Sequence, residues 1–223
     1  MQIMAEALGL ALPGSALLPA ASPDLAEYAR NAGKLAVKLA QTDHMKPSDL
    51  VTLESFENAI MVHAAISGST NCLLHIPAIA HEFGLEIDGS TFDRLHRGAH
   101  YLLDIRPAGR WPAEFFYYAG GVPAIMEEIR RVLHLDVMTV TGKTLGENLE
   151  DLKQNGFYER CQKWLDEANR KYHLNLTKAD IIRPYDQAIG ADGSVAVLKG
   201  NLAPEGAVIK HTACPREMFS AVL

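Results

Sequence analysis

LESFENAIMVHAAISGSTNCLLHIPAIAHEFG, residues 53 to 84, decides how the chain folds. Its first half puts Phe56, Ala59, Ile60, His63 and Ala64 at spacings of three and four, the stripe of an amphipathic helix, and the pattern halts at Gly68. A second apolar helix begins at Cys72 with Pro77 inside it, so the spacing predicts two helices meeting at SGSTN with almost no loop, the second one kinked. The Gly-Ser-Thr-Asn cluster then sits at a helix N-terminus, where the macrodipole is positive. Its oxygens can cap the helix, or the cluster can offer hydroxyls and free N–H groups to a carboxylate or phosphate. Gly68, Ser69, Thr70 and Asn71 are therefore the candidate substrate-binding residues.

Upstream, residues 2 to 10 read as helix and LPGSALLPAASP as an irregular loop, because proline and glycine break every possible turn there. Asp24 opens a helix in which Leu25, Tyr28, Ala29, Ala32, Leu35, Ala36 and Leu39 predict one buried face. Downstream, TFDRLHRGAHYLLDI, WPAEFFYYAGG and VPAIMEEIRRVLHLD read as three more helical stretches. VMTVTGK is β-branched and predicts a strand, and residues 144 to 174 are charged and mostly helical. From Ile181 the pattern turns to β: strands at about 194 to 199 and 206 to 212 should pair across NLAPEG. An isolated hairpin is marginal in water, which predicts that these strands open a second domain.

The 223 residues are 48% hydrophobic and 22% charged, enough apolar material for one large domain, or one domain and part of another. A net charge of −6 leaves no basic field for nucleic acid. No apolar stretch reaches the length of a membrane span, because Pro13, Pro19 and Pro23 interrupt the longest. The stretch at residues 7 to 21 superficially resembles the apolar part of a signal peptide, but MQIMAE ahead of it carries Glu6 and no Lys or Arg. Cys72, Cys161 and Cys214 form no CxxC and no even framework, which fits reduced thiols in the cytoplasm. The expected partners are small molecules or other subunits.

Other motifs have bland alternatives. TGKT at 141 to 144 has the strand-then-helix context of a P-loop, yet the required glycine five residues before Gly142 is Val137. His96 and His100 could share a helix face as zinc ligands do, but Arg97 stands where HExxH has glutamate and Gly98 weakens the helix. His63, His75 and His81 lack partners at metal spacing and read as surface or hydrogen-bonded core histidines. Cys72 could have a lowered pKa in the first turn of a helix, or it could simply be buried. Gly120 and Gly121 either permit a tight connection or bring bare backbone to a ligand.

Five stretches together resemble one family, the dehydratases that include dihydroxy-acid, phosphogluconate and pentonate dehydratases: MAEALGLALPGSA (4 to 16), ENAIMVHAAISGSTNCLLHIPAIA (57 to 80), YYAGGVPAIM (117 to 126), VTGKTLGEN (140 to 148) and GSVAVLKGNLAPEGAVIK (193 to 210). TVTGKTLGENLEDL and HTACPREMF are most similar to the xylonate dehydratase branch. The resemblance implies an α/β fold: the helix-rich rear of an amino-terminal α/β domain over residues 1–145, a helical junction over 146–180, and the first strands of a β-barrel-like carboxy-terminal domain over 181–223.

The resemblance also implies a hydro-lyase, a homo-oligomer (dimer or tetramer), acting on a small-molecule sugar acid such as xylonate, with a dihydroxy acid of branched-chain biosynthesis as the second substrate class. A base takes the C2 proton while a Lewis acid helps the C3 hydroxide leave. In the family a [2Fe–2S] cluster, Mg²⁺ and a serine base do this work, and their motifs have no match in these 223 positions. Cys72, Cys161 and Cys214 fall outside the ligand motifs, so the chain resembles an internal portion of the enzyme and is expected to be inactive alone. A third expectation, from a different class, is a non-catalytic module that self-associates through its helical layer.

Overall fold

The computed structural model describes residues 1–214; the last part of HTACPREMF, from Pro215, and the final residues of the expected carboxy-terminal domain lie outside the described residues. The fold is α/β, strongly helical, and is organised around the first helix of the 53–84 stretch. In chain order the helices are α1 (Gln2–Ala7), α2 (Asp24–Ala40), α3 (Pro47–Leu50), α4 (Leu53–Ala65), α5 (Cys72–Glu82), α6 (Gly89–Arg97), α7 (Ala113–Tyr118), α8 (Gly121–Glu128), α9 (Leu145–Gln154), α10 (Phe157–Tyr172) and α11 (Lys178–Ile181). A hairpin of β1 (Ala196–Gly200) and β2 (Ala203–Ile209) follows.

α4 is apolar on nearly every side, with ten of its 13 residues buried, so it must lie inside. It packs against α1, α6 and α8. Asn58, fully buried on it, uses its side-chain amide to bond both backbone groups of His134, at 2.8 Å each, so its polar ends are met. α5 buries Cys72, Ile76 and Ala80, one row at a spacing of four, and leaves Leu74 71% exposed. On α6 the same spacing buries Phe92 and His96, and Asp88 caps the helix by accepting from the Thr91 N–H at 3.0 Å. α9 begins with a reciprocal box, Thr144 Oγ1 accepting from Glu147 N–H at 3.2 Å and Glu147 accepting from Thr144 N–H at 2.8 Å. Leu149 of α9 and Leu165 of α10 belong to the same core as α4, so residues 146 to 180 pack onto the preceding helices.

Four expectations need correction. α2 forms where its periodicity placed it, yet none of its residues is buried, and Leu25 and Val37 are 42% and 58% exposed. An apolar stripe prepares a face, but a facing surface has to cover it, and the described chain supplies none. The helix expected over TFDRLHRGAHYLLDI stops at Gly98, and Tyr101, Leu103 and Ile105 form isolated bridges to Gly190, Ile182 and Trp111. Leu102 and Leu103 are fully buried and donate their N–H groups to Ala65 O at 2.9 and 3.3 Å, a tertiary pairing that replaces the helical one. VMTVTGK is a turn, not a strand: Thr139 N–H and Oγ1 both bond to Lys143 O, and Gly142 takes φ +79°. The hairpin exists with antiparallel pairing of Val197 with Val208, but its turn is Asn201–Leu202, and Ala203–Gly206 lie in β2. Pro204 is tolerated because a two-stranded ribbon consists only of edges.

Candidate functional site

The four candidate residues lie where α4 gives way to α5. Ser67 turns the chain with a left-handed φ of 54° and is tied on two sides: its hydroxyl bonds that of Thr212 at 2.7 Å, and its carbonyl accepts from Lys210 Nζ at 2.6 Å. Gly68 is buried against the His63 imidazole; a Cβ there would lie 2.1 Å from His63 Cδ2. Ser69, Thr70 and Asn71 are exposed. A cavity of about 400 Å³ opens beside them, lined by Gly68 and His63, with Ser67, Ser69, Thr70 and Lys210 among its polar groups. Met4, Ile66, Leu103 and Ile105 add an apolar part to its lining. Asn71 does not line this cavity.

The capping expectation is overturned in detail. Asn71 sits at the N-cap position in a helical conformation and makes no side-chain cap bond. The first-turn donors are met by backbone instead, Cys72 N–H by Ser69 O and Leu73 N–H by Thr70 O, both at 3.0 Å. Ser69 Oγ accepts from Asn71 N–H at 3.3 Å. Because these N–H groups are engaged within the turn, the polar character of the cavity comes from the hydroxyls and from Lys210 more than from bare amides. Burial pushes the Lys210 ammonium below its ordinary pKa. Lys210 was missed by sequence reasoning, since it arrives from the end of β2, 143 positions from Ser67.

Cys72 is buried, and burial raises its thiol pKa, so the reactive-thiolate alternative is withdrawn. His75 and His81 are on the surface. His100 stacks on Tyr185 with ring centroids 4.2 Å apart, whereas His96 turns inward to meet His63. Gly120 and Gly121 take φ of +105° and +58°, as a tight connection between α7 and α8 requires, and a Cβ on Gly120 would meet that of Ala124 at 2.7 Å. Lys143 of the TGKT stretch pairs with Asp151 on α9.

Among the described residues no three His, Cys, Asp or Glu side chains come close enough to hold a metal. Cys161 is buried as well, its thiol pushed up to about 12 by desolvation, which opposes the thiolate form a cluster ligand needs. These residues do not fit a [2Fe–2S] cluster or Mg²⁺. No helix among them is long and apolar enough to cross a membrane.

Comparison with known proteins adds to this geometry. Residues 1–148 match the dihydroxy-acid/6-phosphogluconate dehydratase amino-terminal family model, and residues 180–222 match the carboxy-terminal one. The chain is 44% identical over 218 residues to dihydroxy-acid dehydratase 1 of Methanosarcina acetivorans. It is 39% identical over 221 residues to the dihydroxy-acid dehydratase of Caldicellulosiruptor bescii, and 42% over 218 to that of Methanosarcina barkeri. Each alignment covers 98% of this chain and 36% of the relative, so the chain spans about a third of their length. Two family models matched in order, the amino-terminal one alone over more than half of the chain, make the chain a member of the dihydroxy-acid/6-phosphogluconate dehydratase family.

Proposed function

We propose that these residues serve in a hydro-lyase that removes water from a 2,3-dihydroxy acid, and that the acid is a branched aliphatic one rather than a sugar acid. The observation that carries this is that relatives 39 to 44% identical over 98% of the chain are dihydroxy-acid dehydratases by name. It favours the branched-chain expectation over the xylonate one. The cavity supports the same choice: Met4, Ile66, Leu103 and Ile105 offer an apolar wall to an alkyl group, where a polyol would leave hydroxyls unpaired.

In this reading Lys210 attracts the substrate carboxylate, and the Ser69 and Thr70 hydroxyls hold its oxygens. The apolar wall keeps water from the alkyl end. The described residues contribute binding and orientation; they present no cluster of metal ligands, the Cys72 and Cys161 thiols are held protonated by burial, and no bond-breaking step is derived from them. The [2Fe–2S] cluster and Mg²⁺ implied by the family resemblance remain part of the proposal for the whole enzyme, which would work as a cytoplasmic homo-oligomer.

The test compares turnover of 2,3-dihydroxyisovalerate and xylonate by the full-length enzyme that carries these residues, with keto-acid formation as the readout. Faster turnover of the branched acid is expected. A preference for xylonate would overturn the substrate assignment.

A further inference from the structure

Two buried histidines join the candidate cavity to the segment that leads into the hairpin. His63 lies on α4 and His96 on α6, 33 positions apart, with 0% and 2% exposure. Their rings meet through His63 Nδ1 and His96 Nε2 at 3.1 Å. At one end the Val195 N–H donates to His96 Nδ1 at 3.1 Å. At the other, His63 Nε2 lies 2.9 Å from Ser69 O.

The two ends dictate where the protons are. A backbone N–H can only donate, so His96 Nδ1 is bare and, in a neutral ring, the proton sits on Nε2. That N–H donates to His63 Nδ1, which leaves the His63 proton on Nε2, aimed at a carbonyl that can only accept. All three bonds are satisfied by one tautomer of each ring and by no other neutral arrangement. Protonating His63 would set two donors against each other between the rings, and protonating His96 would do so at Val195.

Two glycines make room for the rings. A Cβ on Gly68 would strike His63 at 2.1 Å, and one on Gly193 would lie 2.8 Å from both His96 Nδ1 and Ala64 Cβ. Phe92 closes the side of His63 edge-on at 5.9 Å. The relay therefore ties stretch 57–80 to stretch 193–210 at the wall of the cavity.

We propose that His63 and His96 are positioning residues, a neutral imidazole relay that sets the Ser69 backbone in the cavity according to where Val195 is held. Its functional meaning rests on the dihydroxy-acid site proposed above. Burial also keeps both rings neutral: desolvation holds His63 down to about 4 and His96 to about 3. The titratable groups facing them are Asp93 and His211 beside His96 and Lys210 beside His63; of these only Asp93 favours a proton on the rings.

The test uses the 223-residue protein labelled with ¹⁵N-histidine. Long-range ¹H–¹⁵N correlations should show bare Nδ1 and protonated Nε2 in both rings, unchanged at pH 5.5, where an ordinary histidine of pKa about 6.5 is mostly charged. An Nδ1–H tautomer in either ring, or titration of either near that ordinary value, would overturn the relay. This arm needs no variant, so it decides even where a substitution prevents folding. His96→Asn keeps an acceptor for Val195 but cannot reach His63. It should shift the Ser69 and Thr70 amide resonances and weaken binding of 2,3-dihydroxyisovalerate about tenfold, the worth of one hydrogen bond. Unmoved amides and unchanged affinity in the folded variant would overturn the positioning role. An intact tautomer pattern with no binding by the wild type would instead overturn the site proposal and leave the relay standing.

Discussion

Gly68→Ala is the substitution whose sign separates packing from propensity. Gly68 has no left-handed φ, so alanine can adopt its backbone, and an unhindered change would stabilise the protein by about 0.4–1 kcal/mol through the unfolded chain. The added Cβ, however, would lie 2.1 Å from His63 Cδ2 and 2.5 Å from its Nε2. The ring cannot withdraw, because both nitrogens are bonded and the residue is fully buried. Overpacking of this kind costs about 1–3 kcal/mol, and losing the bond to Ser69 O with its donor still buried costs about 1–3 kcal/mol more. The net expectation is a loss of about 1–5 kcal/mol, or about 2–20 °C in Tm for a chain of this size. Urea denaturation followed by circular dichroism at pH 7.5 measures it, with calorimetry for Tm. A double-mutant cycle adds the cause: in the His63→Ala background the ring is gone, and Gly68→Ala should cost nothing further. A Gly68→Ala protein as stable as wild type, or more so, would refute the tight seating of the loop on His63.

Other expectations concern buried titratable groups. Glu6 accepts from the Gly14 and Ala16 N–H groups at 2.7 Å each, yet burial dominates and lifts its carboxyl to about 7. A raised acid stabilises the fold most below its unfolded pKa and loses that contribution as pH rises through about 7; Glu6→Gln should flatten this part of the urea-midpoint profile, worth up to about 3 kcal/mol. The histidines act with the opposite sign. Their depressed folded pKa values leave stability complete above the unfolded value and remove it as pH falls from there toward about 4 and 3, so acid midpoints should drop steeply in the Glu6→Gln background and less so in His63→Gln. Thiol labelling at pH 8 should modify the partly exposed Cys214 quickly and the buried Cys72 and Cys161 only on unfolding; fast labelling of two thiols in the native protein would contradict their burial.

Much of the helical layer was legible in the order of residues, because local spacing alone decides which face of a helix can be buried. The stripe Phe56, Ala59, Ile60, His63 gave away α4, and the charged run from residue 144 onward the helical stretch that holds α9 and α10. Failures came where long-range pairing competes with local preference. Leu102 and Leu103 follow a helical pattern into an extended segment bonded to Ala65, and α2 displays a stripe that nothing described here covers.

The candidate site divides in the same way. That Gly68 to Thr70 border a cavity follows from a loop squeezed between two helices, a local property of SGSTN. Lys210, His96 and the apolar wall come from distant positions and were joined to it only by folding, since a contact across 143 positions leaves no period or spacing to read. Even the protonation of His63 is a tertiary fact: the ring's own neighbours in sequence are silent on it, and only the Val195 amide at one end and the Ser69 carbonyl at the other fix which nitrogen carries the proton.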